Sequence, residues 1–491
     1  MQELSFPENW KVVRLQDFSE VNPKLPKGLV AEETLVSFIP MRAVTEETGE
    51  VILEDIQPYS KVKKGYTSFV DGDIIFAKIT PCMENGKVAI VEKLENGIGF
   101  GSTEFHVIRL SKSVYRKFIF YFLIRKAFRS QAQKNMTGSA GQLRVPSNFL
   151  KGISIPLPPL PEQQRIVAKI EELFSELDVG VALLKRAKAQ LRKYRQSVLK
   201  HAFEGKLTEA WRGDLLTAAA PPKPSYSTTS GQVALSYAAE KEVGYHYIGD
   251  IPKDWQFVKL GSILEEMQYG TSDKSNDTSE GIPVLRMGNI QAGNLVFENL
   301  KYFDQSYSEL EKYLLQEGDI LFNRTNSAEL VGKTALYKHN HPKAIFASYL
   351  IRLKIKSGYS IPEYVSYYIN SVFGRTYIKR VVSQNVGQAN VNGTKLKNLN
   401  LPLPTYDEQI QIVQEIESRL SESDHLEKTI DQSLQRAELL RQSILNKAFS
   451  GKLVPQHPGD EPAETLLSRV QTAKESASKA VKKADQIAID F

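Results

Sequence analysis

The sequence of 491 residues contains a single cysteine, Cys82, and this scarcity limits the chemistry open to the chain. One thiol cannot form an internal disulfide or a cysteine-based metal cluster, so we expect a reducing, cytoplasmic setting. Long apolar runs are also missing, and no membrane-spanning helix is predicted. The N-terminus lacks a basic segment followed by an apolar core, so we expect no signal peptide.

A strong charge of either sign is missing as well. The 63 basic and 57 acidic residues leave a net charge of only +6. This balance permits nucleic-acid binding without requiring it. The length favours more than one domain, because single hydrophobic cores rarely grow beyond about 250–300 residues.

The familiar catalytic motifs are incomplete or missing. Gly332-Lys333-Thr334 resembles the end of a phosphate-binding loop, but Ser327 stands where that loop needs glycine. A methyltransferase acting on base amino groups would carry an Asn/Asp-Pro-Pro-Tyr/Phe loop, and the sequence has none. The seven histidines are scattered, and His339 and His341 have no evident third metal ligand. We therefore expect no metal, no catalytic residue and a binding protein rather than an enzyme.

What the sequence does contain is a long internal repeat, displaced by 245 or 246 residues. Segment 156–207 opens with Pro-Leu-Pro and a Glu-Gln pair and ends with Gly-Lys-Leu, and segment 402–453 repeats both ends. Earlier in each copy, a Pro-x-x-Trp opening at Pro7 recurs at Pro252, and Gly72-Asp73 recurs at Gly318-Asp319. We infer a tandem duplication in the order globular part, long helix, globular part, long helix.

Each repeated segment predicts one long helix, over 162–204 and 408–450. A first-turn glutamate, Glu162 or Glu408, suits the positive end of the helix dipole, and Gly205 or Gly451 suits a left-handed stop. Apolar residues recur at alternating spacings of four and three, which is typical of a coiled-coil seam. Two ordinary amphipathic helices of a bundle are the alternative. The predicted seam consists of Ile166, Ile170, Leu173, Leu177, Leu184, Leu191, Tyr194, Val198, Ile412, Ile416, Leu426, Ile430, Leu440 and Ile444.

Each globular half reads as α+β, because short β-branched runs alternate with turn residues and one helical stretch follows. The predicted strands are 36–40, 73–76, 88–91, 105–110 and 153–157, with counterparts at 282–286, 319–322, 334–337, 350–355 and 399–403. One helix is predicted over 115–133 and another over 362–382. Two halves related by a pseudo-twofold axis would pair the long helices antiparallel and place the globular parts at opposite ends.

The predicted domains follow the repeat. They are a first globular domain (1–155), a central long helix (156–210), a linker rich in Ala, Pro, Ser and Thr (211–250), a second globular domain (251–400), a distal long helix (401–454) and a C-terminal tail (455–491) with a short helix around 464–474.

Polar loops in the globular halves contain the residue types that contact DNA. Arg and Lys read guanine edges, Asn and Gln read adenine edges, and hydroxyl groups hold phosphates. An ordinary surface loop is the alternative for each one. The candidates are Arg42, Lys78, Thr80, Lys87, Gln142, Arg144, Arg286, Asn289, Arg324, Thr325, Asn326, Lys333, Gln388 and Asn390.

These motifs resemble one known family over essentially the whole chain. The matching segments are Pro-Leu-Pro-Pro-Leu-Pro-Glu-Gln-Gln (156–164), Gly-Lys-Leu-Thr-Glu-Ala-Trp-Arg (205–212), Leu-Pro-Leu-Pro with Glu-Gln (401–409), Ser-Ile-Leu-Asn-Lys-Ala-Phe-Ser-Gly-Lys-Leu-Val-Pro-Gln (443–456) and the Pro-x-x-Trp openings. The chain is similar to the specificity subunits of type I restriction–modification enzymes.

The resemblance implies a function. The two globular domains, 1–155 and 251–400, are recognition domains that each read one half of a bipartite double-stranded DNA target. The paired helices set the spacer and dock two methyltransferase subunits. Two restriction subunits complete the complex. It also implies that S-adenosylmethionine belongs to the methyltransferase, and that ATP and Mg belong to the motor-nuclease, with no cofactor in this chain. The alternatives are an enzyme with fused catalytic activity and a coiled-coil scaffold that never contacts DNA.

Overall fold

The structure is a computed structural model, and it describes residues 6–26, 28, 30–139, 141–217, 251–277, 280–304, 306–385 and 388–472. The chain forms two compact units. Unit 1 combines residues 1–184 with residues 432–491, whereas unit 2 is the continuous segment 185–431. The predicted linker beyond residue 217 and the lysine-rich end from residue 473 lie outside the described residues.

The first repeat contains ten strands and six α-helices among its described residues. In chain order they are β1 (Lys11–Arg14), α1 (Leu15–Phe18), β2 (Ser19–Val21), β3 (Leu35–Ile39), β4 (Ile56–Pro58), α2 (Tyr59–Val62), β5 (Thr67–Val70), β6 (Ile74–Ala77), β7 (Val88–Ile90), β8 (Ile98–Gly101), β9 (Phe105–Leu110), α3 (Arg116–Ile124), α4 (Lys126–Lys134), α5 (Ser147–Gly152), β10 (Ser154–Leu157) and α6 (Leu160–Phe203).

Two four-stranded sheets form the globular part of unit 1. One is antiparallel in the order β2-β9-β6-β7, and the other has the order β4-β3-β8-β5 with β3 and β8 parallel. Strand β6 is buried on both faces. Because side chains alternate along a strand, Ile74 and Phe76 enter the core under the helices, whereas Ile75 and Ala77 enter a second core between the sheets.

The second repeat follows the same plan with additional short strands. Its elements are α7 (Glu209–Thr217), β11 (Gln256–Lys259), α8 (Leu260–Ile263), β12 (Leu264–Tyr269), β13 (Ile282–Leu285), β14 (Ile290–Gln291), β15 (Asn294–Leu295), β16 (Lys301–Phe303), α9 (Leu310–Tyr313), β17 (Ile320–Asn323), β18 (Thr325–Asn326), β19 (Thr334–Leu336), β20 (Ile345–Phe346), β21 (Leu350–Ile355), α10 (Pro362–Asn370), α11 (Val372–Val381), β22 (Ser383–Asn385), β23 (Gln388–Asn390), α12 (Gly393–Lys397), β24 (Asn400–Leu403) and α13 (Tyr406–Ala448).

The sheets of unit 2 match those of unit 1. The order β12-β21-β17-β19 is the counterpart of β2-β9-β6-β7, and β16-β13-β20 includes the parallel pair of β13 and β20. Three strands, β18-β23-β22, form a further small antiparallel sheet. These sheets and helices confirm the predicted α+β class and the tandem repeat.

One predicted element in each repeat is wrong, because a single helix was expected and two are present. Helix α3 ends before Arg125, whose backbone is extended, and α10 ends before Ser371. Ser371 accepts a hydrogen bond from Gly374 N and so caps α11. In unit 1 the Arg125 guanidinium lies 4.1 Å from the Phe122 ring centre and 4.4 Å from that of Phe449. The break therefore leaves a cation over two aromatic rings.

Both long helices are present over almost the predicted residues, and each unit takes one end of both. In unit 1 the aromatic ring of Phe449, at the end of α13, packs on Phe118 and Phe122 of α3. In unit 2 the ring of Phe203, the last residue of α6, packs on Tyr364 and Tyr368 of α10. The start of one helix meets the end of the other in each unit, so the pairing is antiparallel.

Arginine–aspartate pairs at equivalent positions join the two helices. Arg441 of α13 bonds Asp178 of α6 in unit 1, and Arg195 of α6 bonds Asp424 of α13 in unit 2. The members of the two pairs differ by 246 in number. Lys188 adds hydrogen bonds of 2.5 and 2.7 Å to the Asp431 carboxylate. The middle of the helix pair is therefore held by charges as well as by apolar contacts.

The predicted seam residues are buried near the ends of the helix pair and more exposed towards its middle. Ile166, Ile170, Val198, Ile412, Ile416 and Ile444 are buried, and Leu173, Leu177, Leu184, Leu191 and Ile430 are half-buried. Tyr194, Leu426 and Leu440 are instead 42, 52 and 49% exposed. Ser423 is only 1% exposed and accepts a bond from Arg195 Nε. A helix of 3.6 residues per turn drifts from a strict heptad, so the three apolar positions rotate out of the contact.

A tryptophan–glutamate pair fixes the start of each long helix. Trp10 Nε1 donates to Glu162 Oε1 over 3.0 Å, and Trp255 Nε1 donates to Glu408 Oε2 over 2.9 Å. The next residue closes the turn: Gln163 accepts from Tyr115 N and donates to the Pro158 carbonyl. Gln409 makes the equivalent bonds to Ile361 N and Pro404 O. The repeated Glu-Gln motif is therefore structural.

The end of each long helix packs against the beginning of a globular part. Gly205 and Gly451 have φ of +74° and +70°, as predicted for left-handed helix stops. A Cβ atom on Gly205 would lie 2.4 Å from Pro252 Cγ, and one on Gly451 would lie 2.5 Å from Pro7 Cγ. These glycines therefore allow close contact as well as the turn.

The segments that follow the two helices differ. After α6, helix α7 occupies residues 209–217 and so includes the first residues of the predicted linker. Its Arg212 bonds Glu408, and Thr208 donates to the same carboxylate over 2.8 Å. After α13, Gln456 donates to Glu162 over 2.6 Å, and residues 463–472 are helical, in agreement with the short helix expected near 464–474.

Candidate nucleic-acid interface

The small sheet β18-β23-β22 of unit 2 gathers five of the predicted DNA-binding residues. Strand β17 runs out of the core and is followed by Arg324, and the chain then forms β18. In the register of the sheet, Thr325 lies opposite Asn390, which lies opposite Ser383. The exposed Gln388 and the half-buried Asn326 occupy the same strands. An ordinary protein core does not require this concentration of amide and hydroxyl side chains.

Unit 1 has the same backbone arrangement at equivalent positions. Isolated bridges place Ile79 opposite Arg144, and Arg144 opposite Thr137. Each of these residues is 246 below its counterpart in unit 2. Lys78 is thereby equivalent to Arg324, and Gln142 to Gln388. The repeat thus presents one backbone site twice, with different side chains at most positions.

An arginine stacked on a tyrosine defines the site in unit 2. The Arg324 guanidinium lies 4.8 Å from the centre of the Tyr269 ring, a cation–π distance. The Tyr269 hydroxyl accepts from Gly393 N over 2.9 Å and so fixes the ring. Beside it, Asn390 Nδ2 donates to Thr325 Oγ1 over 2.8 Å. An oriented guanidinium next to an amide is suited to reading base edges.

An ion pair defines the site in unit 1. Arg144 Nε and Nη2 each donate to the Glu104 carboxylate over 2.9 Å. The bonded Arg144 lowers the pKa of Glu104, so the carboxylate stays charged. Thr80 Oγ1 donates to Glu84 over 2.6 Å. Unit 1 therefore presents a paired arginine where unit 2 presents a neutral asparagine.

A buried histidine supports the unit 1 site from below. His106 Nε2 lies 2.8 Å from the Val145 carbonyl, which can only accept, so this nitrogen carries the proton. Nδ1 then accepts from Asn22 Nδ2 over 3.0 Å. Burial lowers the pKa of His106, with an added contribution from the charge of Lys78. The neutral ring thus fixes the strand next to Arg144.

Five predicted residues lie away from these two sites, and one of them, Asn289, is corrected. Arg42 is exposed in a short 3-10 turn (41–43), and Lys87 Nζ donates to the Met41 carbonyl over 3.3 Å. Arg286 is half-buried and donates to the Asn299 carbonyl. Asn289 is 5% exposed and bonds backbone atoms of Arg286, Val296 and Glu298. Its side chain holds its own loop, so it is not available to DNA.

Lys333 is the fifth outlying candidate, and it lines a groove of unit 2 together with Lys338. Sequence reasoning missed Tyr269, Glu104 and His106. A single strand-end tyrosine carries no signal of the cation that it supports, and Glu104 becomes significant only when β9 brings it next to Arg144.

Two negative findings apply to the described part of the chain. No group of three or more His, Cys, Asp or Glu side chains is placed to hold a metal ion there. No described helix is long and apolar enough to cross a membrane.

The sequence pattern of the type I restriction modification DNA specificity domain matches residues 7–190 and again residues 252–436. The chain belongs to this family. The two matches coincide with the two repeats, so the chain carries two DNA specificity domains. Each match includes a globular part and most of the long helix that follows it.

Curated members of the specificity family resemble the chain over nearly its whole length. The type I restriction enzyme EcoKI specificity subunit of Escherichia coli K12 is 29% identical, over 94% of this chain and 98% of the relative. The MjaVIII specificity subunit of Methanocaldococcus jannaschii is 24% identical, over 92% of this chain and 95% of the relative.

Solved structures of the specificity family share the fold. The HsdS subunit of Thermoanaerobacter tengcongensis matches with a TM-score of 0.52 at 20% identity, over 92% of this chain and 99% of that one. A chain from a structure on complex assembly and conformational transition of the type I R-M system matches with a TM-score of 0.68 at 20% identity, over 91% and 100%.

Proposed function

We propose that this chain is the specificity subunit of a type I restriction–modification complex and that each domain reads one half of a bipartite double-stranded DNA target. The observation that carries the proposal is the repeated polar site. One backbone register presents Arg144 with Glu104 in unit 1 and Asn390 with Thr325 in unit 2. Two sites of the same geometry and different chemistry suit two different half-sites.

The reading residues fall into two sets. Arg324, Asn390 and Gln388 present guanidinium and amide groups to base edges in unit 2, and Thr325 and Asn326 position them. Lys78, Arg144 and Gln142 take these places in unit 1, and Thr80 supports the loop. Arg42, Lys87, Arg286 and Lys333 contribute positive charge for phosphates.

The paired helices set the spacer between the half-sites and dock two methyltransferase subunits, one for each repeat. Two restriction subunits complete the complex. The chain itself performs no chemistry: S-adenosylmethionine is bound by the methyltransferase, and ATP and Mg are bound by the motor-nuclease. The compartment is the cytoplasm.

The test is to map methylated adenines in DNA from cells that contain the chain and its methyltransferase. We expect a split motif with one methylated adenine on each strand. Replacing residues 1–155 by the same domain of a relative should change one half of the motif only. A change in both halves would contradict independent reading. Methylation by the purified chain alone would show that it is an enzyme.

A further inference from the structure

Unit 2 contains an open groove, here called the α10–α13 groove, which its own side chains do not fill. It lies between α10, the 417–424 stretch of α13 and the 192–199 stretch of α6, and it has a volume of about 750 Å³. A second cavity of about 600 Å³ shares Gln196, Glu329 and Arg375 with it and extends along α11 to Lys379. Together they form an elongated depression.

In unit 1 the equivalent place is filled by aromatic side chains. Tyr121 contacts Phe120 at a ring-centre distance of 5.2 Å and Phe174 at 5.9 Å. Phe120 also packs against the turn at Gly49, where a Cβ atom would lie 2.6 Å from the ring. The Arg441 guanidinium covers Phe174 at 4.7 Å. Three rings thus close the gap between α3 and α6.

The residues that fill unit 1 are replaced by smaller ones in unit 2. Numbers 246 higher than Phe120 and Phe174 are Ser366 and Leu420, and both line the α10–α13 groove. Only the tyrosine is kept, as Tyr367. The groove therefore has room for the two phenyl rings that unit 1 supplies from its own chain.

A lysine of unit 1 is also replaced by a glutamate at the equivalent position of unit 2. In unit 1, Lys117 Nζ donates to Glu171 over 2.7 Å. The equivalent residues of unit 2 are Glu363 and Glu417, two carboxylates that both line the groove. Burial raises the pKa of Tyr367, and the negative charges of Glu417 and Glu363 raise it further, which places both carboxylates near its hydroxyl. Two negative charges that act on the same hydroxyl group favour a positive group beside them.

These differences between the units indicate which chemical groups would fill the groove, and the inference rests on the function proposed above. We propose that the α10–α13 groove receives a segment of one methyltransferase subunit that inserts apolar or aromatic side chains beside a lysine or arginine. These side chains take the places that Phe120, Phe174 and Lys117 hold in unit 1. Lys333, Lys338 and Arg375 also line the groove. A lining that mixes both signs of charge suits a polypeptide better than the uniformly negative backbone of DNA. The elongated shape also exceeds that of one small molecule.

The two docking positions for the methyltransferase are therefore unequal. The position in unit 2 offers an insertion site, whereas unit 1 fills the same place itself. Hot spots of protein interfaces are buried aromatic and arginine side chains in pockets, so insertion should dominate affinity at unit 2.

The experiment fills the groove with the side chains of unit 1. The full chain with Glu363→Lys, Ser366→Phe and Leu420→Phe is titrated with its methyltransferase subunit, and the stoichiometry is read by native mass spectrometry. The wild type should bind two subunits. In the filled variant, one of them should bind at least tenfold more weakly and the other with unchanged affinity. Two subunits bound with unchanged affinities would overturn the inference.

Smaller changes keep the test independent of folding. Glu363→Lys alone should weaken the binding of one methyltransferase subunit. Glu422→Lys, an equal charge change at an exposed position of α13, should leave the binding of both subunits unchanged. A photo-crosslinking residue at position 366 in the assembled complex should attach to the methyltransferase; attachment to DNA would overturn the inference. If the wild-type chain binds no methyltransferase at all, the proposed function fails instead.

Discussion

The indole of Trp255 donates its Nε1–H to the Glu408 carboxylate over 2.9 Å, across 153 residues of sequence. The same bond joins Trp10 and Glu162 in the other unit. The two carboxylates differ in their other partners. Glu408 also receives the charged Arg212, whereas Glu162 receives the neutral Gln456. The duplicated corner thus offers a comparison, within one chain, of a carboxylate that is hydrogen-bonded to an arginine and one that is not.

Glu408→Gln should destabilise the protein more than Glu162→Gln. Loss of the carboxylate at 408 leaves Arg212 without its charged partner, and breaking a buried pair on one side costs about 3–5 kcal/mol, less for this part-exposed arginine. At 162 the hydrogen bonds from the neutral Trp10 and Gln456 change, together with a weaker attraction to Arg165 that involves no hydrogen bond, which costs about 1–2 kcal/mol. Denaturant unfolding of the full chain measures both. Equal effects of the two substitutions would contradict the assigned role of Arg212.

Substitutions at the Tyr269–Arg324 pair should relax one half of the DNA target. Arg324→Gln removes a guanidinium that is oriented by the ring, and a good bidentate base contact contributes about 1–3 kcal/mol of discrimination. Methylation mapping with the reconstituted complex should show tolerance at one position of one half-site. Lys78→Gln, at the equivalent position of unit 1, serves as the matched control and should affect only the other half.

Stability should fall at mildly acidic pH because of His106. Its pKa is lowered in the folded state, so the unfolded chain binds the proton first. The contribution of the neutral ring is complete above the unfolded value near 6.5 and is lost as the pH falls below it, at up to about 1.4 kcal/mol per pH unit. Unfolding free energies from pH 7.5 to 5 check this slope. His106→Gln should flatten it, and an unchanged slope would assign the effect to other groups.

Lengthening both long helices together should lengthen the DNA spacer. The inserted residues should not lie near Ala202 at the end of α6, because Phe203 is buried there and Gly205 packs closely against Pro252. Four residues inserted after Leu184 and four after Asp431 lengthen each helix by about 6 Å, or nearly two base pairs. Methylation should then occur on the same half-sites with a spacer longer by one or two base pairs. Methylation at the original spacing would show that partners or bending, not the helices, determine it.

The fold could be predicted where the pattern is local and periodic. The long helices, the inner strands and the left-handed glycines all follow from spacing and turn residues. The break at Arg125 was not predicted, because the residues on both sides of it favour helix. Leu426 and Leu440 were wrongly assigned to the buried seam. The heptad pattern was applied to the middle of α13, where polar pairs rather than apolar side chains join the two helices.

The candidate site was predictable in outline only. Arg324, Thr325 and Asn390 were predicted as separate candidates, and only the sheet register brings them together. Asn289 was misassigned, because the amide that reads adenine also bonds local backbone, and sequence does not separate the two uses. Contacts between residues far apart in sequence, such as Glu104 with Arg144, could not be predicted, because they depend on the order of the strands in the sheet.

The division of the long helices between the units also determines when each unit can form during synthesis. Unit 2 is one continuous segment, so the ribosome has delivered all of it once Asp431 has emerged. Unit 1 needs Phe449 against Phe118 and Gln456 against Glu162, and these arrive last. The domain made first is therefore the one completed last, and its aromatic surface stays uncovered for most of translation. We therefore expect chaperones to bind nascent chains at this uncovered aromatic surface.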